Sequence, residues 1–178
     1  MSQDSQKFLS GRERFFDTNE LIVSKTDLQG RILYANRTFM KVGLYEEKEL
    51  IGAPHSILRH PDMPRCVFKL LWDQIGGGHE IFAYVINRAK NGDHYWVLAH
   101  VTPSYDDSGA INGYHSNRRV PDKRVVTEVI APTYKALLDI ESKHSNAKEG
   151  MMASYNHLIN ILKDKGSTYD EFIFSLQS

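Results

Sequence analysis

Cysteine is almost missing from this 178-residue chain. Cys66 stands alone, so neither an intramolecular disulfide nor a thiolate metal cluster can form, and a reducing compartment is expected. Neither sign of charge is in excess. Lys and Arg number 22, as do Asp and Glu, which argues against a general nucleic-acid binder with its surplus of positive charge. Long apolar runs are lacking too, with nothing near the roughly 18 residues that span a bilayer. The N-terminal MSQDSQKFLSGRERFF is polar and has no apolar centre of a secretory signal. Together these absences point to a soluble, cytoplasmic protein with no direct membrane insertion. What is present is ordinary for a globular chain, with 41% hydrophobic and 25% charged residues. The length suits one domain and a short appendage.

Residues 1–20 read as a helical or irregular N-terminal cap. LIVSKTD (21–27) and QGRILYAN (29–36) read as two strands joined at Asp27-Leu28-Gln29-Gly30. Asn36 is placed to cap a short helix that Gly43 ends, and Tyr45–Leu50 reads as one or two exposed helical turns. Three prolines in PHSILRHPDMP (54–64) exclude a continuous helix there. In RCVFKLLWDQI (65–75), Val67, Phe68, Leu71, Trp72 and Ile75 fall at helical spacing, and Gly76-Gly77-Gly78 stops the helix. Strands are expected at 80–89, 93–105 and 110–119, the first two joined by a tight hairpin at Lys90-Asn91-Gly92. This order is an α+β pattern: one five-stranded antiparallel sheet with helices on one face and a concave interior. Residues 122–144, interrupted at Pro132, and 146–165 read as two further helices. Ser167 or Thr168 then caps a last turn through Phe172, Ile173, Phe174 and Leu176.

Few residues invite catalysis. No GxSxG, Walker A, HExxH or EF-hand pattern occurs, and Cys66, on a helix with no base fixed beside it, reads as a buried structural thiol. An enzyme is not expected. His94, His100 and His115 fall on strands, yet lack the companions of a metal site and read as half-exposed sheet positions. A haem would require an axial ligand from His60 or His79, which flank the internal helix. Arg59, His60 and Asp62 lie on a proline-stiffened backbone that lowers the entropy cost of holding them. Two readings remain open there. The cluster binds a phosphate or carboxylate by charge-assisted hydrogen bonds while Trp72 offers a flat surface to an aromatic ligand, or Trp72 is core and Arg59 pairs with Asp62 at the surface.

RHPDMP (59–64) followed by Phe68 and Trp72, NRAKNGDHYWV (87–97) and GYHSNRR (113–119) resemble the flavin-binding PAS domain of the bacterial aerotaxis receptor (Aer) family. The resemblance runs from about Leu21 to Leu138. It is closer still to stand-alone energy-taxis PAS proteins of the CetB type, whose C-terminal segment the stretch from Asn146 onward also resembles. It implies a PAS fold over 21–121, a helical extension over 122–178, and FAD in the cleft between sheet and helices. The family's FAD-binding positions fall on Arg59, His60, Asp62, Trp72 and Asn87; Phe68 and Asn36 complete the candidate cofactor-binding set. HEIFAYVI (79–86) departs from the receptor's Trp-containing version, and Cys66 does not lie in the adduct motif of light-sensing LOV domains.

The resemblance implies a redox or oxygen sensor for energy taxis, signalling to a membrane chemoreceptor or another signalling partner, with a homodimer as a further possibility. Asn87, whose amide both donates and accepts, is suited to respond to a change in flavin protonation. A haem-based gas sensor and a cofactor-free PAS interaction module are the alternatives. Apolar stripes at 122–178 would be satisfied either by a hairpin folded onto the PAS core or by association. The terminal FIFSL needs a cover of some kind, and deletion of 145–178 is expected to leave FAD binding intact.

Overall fold

The computed structural model describes residues 8–177; residues 1–7 of the expected N-terminal cap lie outside them. Five strands form one antiparallel sheet: β1 (Ile22–Thr26), β2 (Ile32–Ala35), β3 (Ile81–Arg88), β4 (His94–Tyr105) and β5 (Ile111–Arg119). Their spatial order is β2-β1-β5-β4-β3, which leaves β2 and β3 as edges. The β1–β2 turn is held by Asp27, whose Oδ1 accepts from the backbone N–H of Gln29 and Arg31. Gly30 sits there at φ +77°, a left-handed conformation that costs glycine little. The β3–β4 turn uses Gly92 at φ +89° and closes with Ala89 N–H donating to Asp93 O.

One face of the sheet is covered by α1 (Arg37–Gly43), α2 (Glu47–Leu50), a 3₁₀ turn (His55–Leu58) and α3 (Arg65–Gly76). Asn36 caps α1, its Oδ1 accepting from Phe39 N–H as the sequence pattern predicts. The prolines keep 54–64 to a single short turn. Residues 8–20 form an irregular strap rather than a helix. Ser10 N–H donates to Gly92 O, and His94 and Arg14 exchange backbone bonds with Arg12 and His94. Asp93 ties the strap down, accepting from Ser10 Oγ and from Arg12 Nε. Those donors hold its carboxyl far below the usual range, at about 2.

The C-terminal residues fold back onto the core. α4 (Lys123–Val125), capped by Asp122, widens into a π-helical turn (Val126–Ile130) and continues as α5 (Ala131–Ser142). The expected interruption at Pro132 is this widened turn: it ends where proline's missing N–H would break the α-helical ladder. α6 (Ala147–Asp164) packs antiparallel to α5. Gly150 makes their approach possible, because a Cβ there would lie 2.5 Å from Glu141 O. Glu141 joins three helices through Oε1, which accepts from Cys66 N–H in the first turn of α3 and from Ser154 Oγ of α6. Pro64 offers α3 no side-chain cap, so this carboxylate supplies one from a distance, with the sign that a helix N-terminus favours.

The final α7 (Tyr169–Ser175) carries the Thr168–Glu171 capping box and lies against the outer side of β3. Ile173 is buried, and Phe174 meets the Phe82 ring at 4.9 Å. Of FIFSL, Ile173 is covered by its own chain while Phe174 remains 48% exposed.

Candidate ligand cavity

Alternation places Val85 and Asn87 of β3, Ala99 and Val101 of β4, and Ser116 and Arg118 of β5 on one face of the sheet. With the 54–59 segment and α3 opposite, they enclose a cavity of about 490 Å³, within the range of small-molecule sites. Phe68, Leu71 and Ile75 of α3 supply its apolar wall. Met151 of α6 also lines it, so that helix borders the cavity.

Arg59, Phe68, Trp72 and Asn87 are brought together here. Arg59 pairs with Asn87 through an isolated antiparallel backbone bridge, and its guanidinium lies 4.8 Å from the Phe68 ring centroid. Trp72 is not core: it is 41% exposed at the cavity wall and meets Tyr114 edge-on at 5.5 Å. Gly30 gives it room, since a Cβ at residue 30 would stand 3.1 Å from the indole. Asn87 is buried, yet its Nδ2 has no hydrogen-bond partner among the described residues. A buried donor without an acceptor costs about 1–3 kcal/mol, and Asn87 is one of the residues lining the cavity.

The other three candidates are elsewhere. Asn36 does not line the cavity: its Oδ1 accepts from Phe39 N–H and Val23 N–H, and its Nδ2 donates to Leu21 O. His60 is buried beside His94, their ring centroids 5.7 Å apart. Its Nδ1 accepts from Asp62 N–H, so although the Asp62 carboxylate stands 3.7 Å away, the ring is neutral, and burial lowers its pKa. The Asp62 side chain is exposed. His60 and Asp62 shape the turn that delivers Arg59. His79, the other possible haem ligand, is exposed and outside the lining.

Sequence reasoning missed Arg118 and His55. Arg118 is 3% exposed and lines the cavity. It donates to Ser24 Oγ, to Ser116 Oγ at 3.0 Å and to His55 Nε2 at 3.0 Å. Because arginine only donates, that nitrogen is an acceptor and His55 is neutral; burial holds its pKa down at about 3. The only available signal was parity, since Arg118 lies two residues from Ser116 on one strand. Counting the whole lining, Arg59, Arg65, Lys69 and Arg118 contribute positive charge and no carboxylate contributes, among the described residues.

Cys66 does not reach this space. It is buried, with its N–H on Glu141, and burial pushes its thiol up to about 11, which suits a structural role. Among the described residues no group of three or more His, Cys, Asp or Glu could hold a metal ion, and no helix is long and apolar enough to cross a membrane.

A model of the PAS fold matches residues 12–115. The chain is 44% identical to the aerotaxis receptor of Escherichia coli over 117 residues, 65% of this chain and 22% of the receptor. It is 28% identical to phototropin-1A of rice (Oryza sativa subsp. japonica) over 80 residues, 45% of this chain and 9% of that protein. It therefore spans about a fifth, or less, of the length of these relatives. Among solved structures, the LOV domain of the blue-light photoreceptor Aureochrome1 superposes with a TM-score of 0.55 at 23% identity, covering 62% of this chain and 89% of that one.

Proposed function

The chain belongs to the PAS family, whose model covers more than half of it, and from that premise we propose that it is an FAD-binding redox sensor of the energy-taxis type. The observation that carries this is the character of the cavity: four cationic side chains, no carboxylate, and an unpartnered Asn87 amide on the wall. Those features fit a planar ring with acceptor atoms joined to a diphosphate. Phe68, Leu71 and Trp72 offer the ring its apolar surface, Asn87 its hydrogen bond, and Arg59 and Arg65 the charge for phosphate, Lys69 being paired with Asp73 at 2.6 Å. When bound, a flavin supplies a redox-active ring whose hydrogen-bonding pattern changes with its oxidation state. The motif resemblance to the aerotaxis group favours FAD in this cavity.

The sheet provides a path outward. Asn87 faces the cavity from β3, while Tyr84 O on the same strand accepts from Tyr134 Oη of α5 at 2.6 Å. Phe82 N–H, also on β3, donates to Asp170 of α7. A change at Asn87 thus moves a strand that α5 and α7 grip from its other side, and these helices offer the altered surface to a signalling partner such as a chemoreceptor. A haem is poorly served here. His55 is the only histidine lining the cavity among the described residues, and its Nε2 already accepts from Arg118.

The test is a cycle of anaerobic reduction and readmission of oxygen, followed by hydrogen exchange. A sensor of this kind shows reversible bleaching of flavin absorption, with altered protection in β3, α5 and α7. Bleaching without any change in protection would remove the signalling half of the proposal.

A further inference from the structure

Arg118 is a buried cation with no counter-ion among the described residues. Its partners are Ser24, Ser116 and neutral His55, with the Phe39 ring centroid 5.2 Å from its guanidinium carbon. Among the described residues its Nη1 has no hydrogen-bond partner, and no carboxylate pairs with it. Burying an unpaired charge is costly, so such a group persists where the surrounding fold holds it in place for another purpose. Here that surrounding is two serines and a histidine that themselves line the cavity, whereas Arg65 is exposed and Lys69 half-exposed. Burial draws the guanidinium pKa down to about 10, which leaves it charged at neutral pH.

We infer that Arg118 is the counter-charge of this cavity: it takes the oxygen-bearing edge of the bound ring and holds the reduced, anionic flavin more tightly than the oxidised, neutral one. This rests on the flavin reading above. Two electrons and one proton convert the neutral oxidised ring to the reduced monoanion, and a fixed cation lowers the free energy of the anion only. The midpoint potential of the bound flavin therefore rises. His55 is a positioning residue, because its Nε2 lone pair fixes the direction of the guanidinium.

The test is a spectroelectrochemical titration, with dithionite as reductant, of wild-type protein as purified and of Arg118→Met and Arg118→Lys. Wild type should have a midpoint above that of free FAD. Arg118→Met should lose at least tenfold in the ratio of reduced to oxidised affinity, which for a two-electron couple is about 30 mV, while Arg118→Lys keeps most of it. A wild-type midpoint below free FAD, or an unchanged midpoint in Arg118→Met at full occupancy, overturns the inference and leaves the flavin reading standing. Wild-type protein that carries no flavin overturns both. Should Arg118→Met lose its flavin or its fold by circular dichroism, the wild-type and Lys midpoints decide alone.

Discussion

Arg59 and Asn87 are joined backbone to backbone, and because Pro54 bridges Arg31 beside β2, the proline-stiffened segment crosses from one edge of the sheet to the other. Two motifs 28 positions apart in sequence thereby become neighbouring walls of one cavity. Their side chains do different work. Arg59 lies over Phe68, whereas the Asn87 amide nitrogen has no partner among the described residues.

From that difference, Asn87→Ala is expected to change the midpoint potential of the flavin more than its occupancy. One uncharged hydrogen bond is worth about 0.5–1.5 kcal/mol, too little to empty a site with many other contacts. Potentiometry and flavin-to-protein ratio measure the two quantities. A wild-type potential at wild-type occupancy would show that the amide does not face the ring.

Arg59→Ala and Trp72→Ala should lose flavin while remaining folded. Removing a charge contact or an aromatic stack costs about 1–3 kcal/mol of binding. Neither change damages the core, since Trp72 is 41% exposed and the bridge at Arg59 is made by backbone. Far-UV circular dichroism and flavin content are the readouts, and full occupancy in both variants would remove the proposed wall.

Much of this fold was legible in the chain because its signals are local. The Asp27 turn, the Asn36 and Thr168 caps and the Gly92 turn each close a bond within four residues, and the five strands and the α3 helix appear where alternation and helical spacing place them. The cavity was legible only in part. Arg59, Phe68, Trp72 and Asn87 line it, but Asn36 is consumed as a cap and His60 turns inward beside His94. Arg118 depends on a 94-residue separation from Ser24, which no local pattern encodes. Whether the helices after residue 122 would fold back or seek a partner was equally open. Gly150 and Glu141 decide it through a contact formed only in three dimensions.

Gly150→Ala tests that contact. In an ordinary helix interior the change would stabilise by about 1 kcal/mol. Here the added Cβ would stand 2.5 Å from a backbone oxygen, and overpacking of this kind costs about 1–3 kcal/mol. The variant should therefore be destabilised in urea or thermal denaturation, and its flavin held more loosely because Met151 borders the cavity. Wild-type or greater stability would mean that the α5–α6 packing is softer than described.

His55 gives the protein an acid-sensitive term. Its folded pKa of about 3 lies below the unfolded value of 6.5, so below pH 6.5 the unfolded chain takes up a proton that the folded one refuses. Stability falls as pH drops from about 6.5 towards 3, by at most about 1.4 kcal/mol per pH unit for this one group. His60 and His115 shift in the same direction. His55→Gln, which keeps an acceptor for Arg118, should flatten the slope between pH 6.5 and 4.5, where the carboxylate of Asp93 is not yet titrating. An unchanged slope would assign the effect to the other two histidines.

The central claim, a flavin held in the cavity between α3 and the sheet, is tested most directly by the protein as purified. Its absorption spectrum and the mass of the chromophore released by heat need no variant and no partner. The account predicts the two-banded spectrum of a flavin and release of FAD at close to one molecule per chain. A single Soret band, or a colourless protein that stays colourless after incubation with excess FAD, would contradict it.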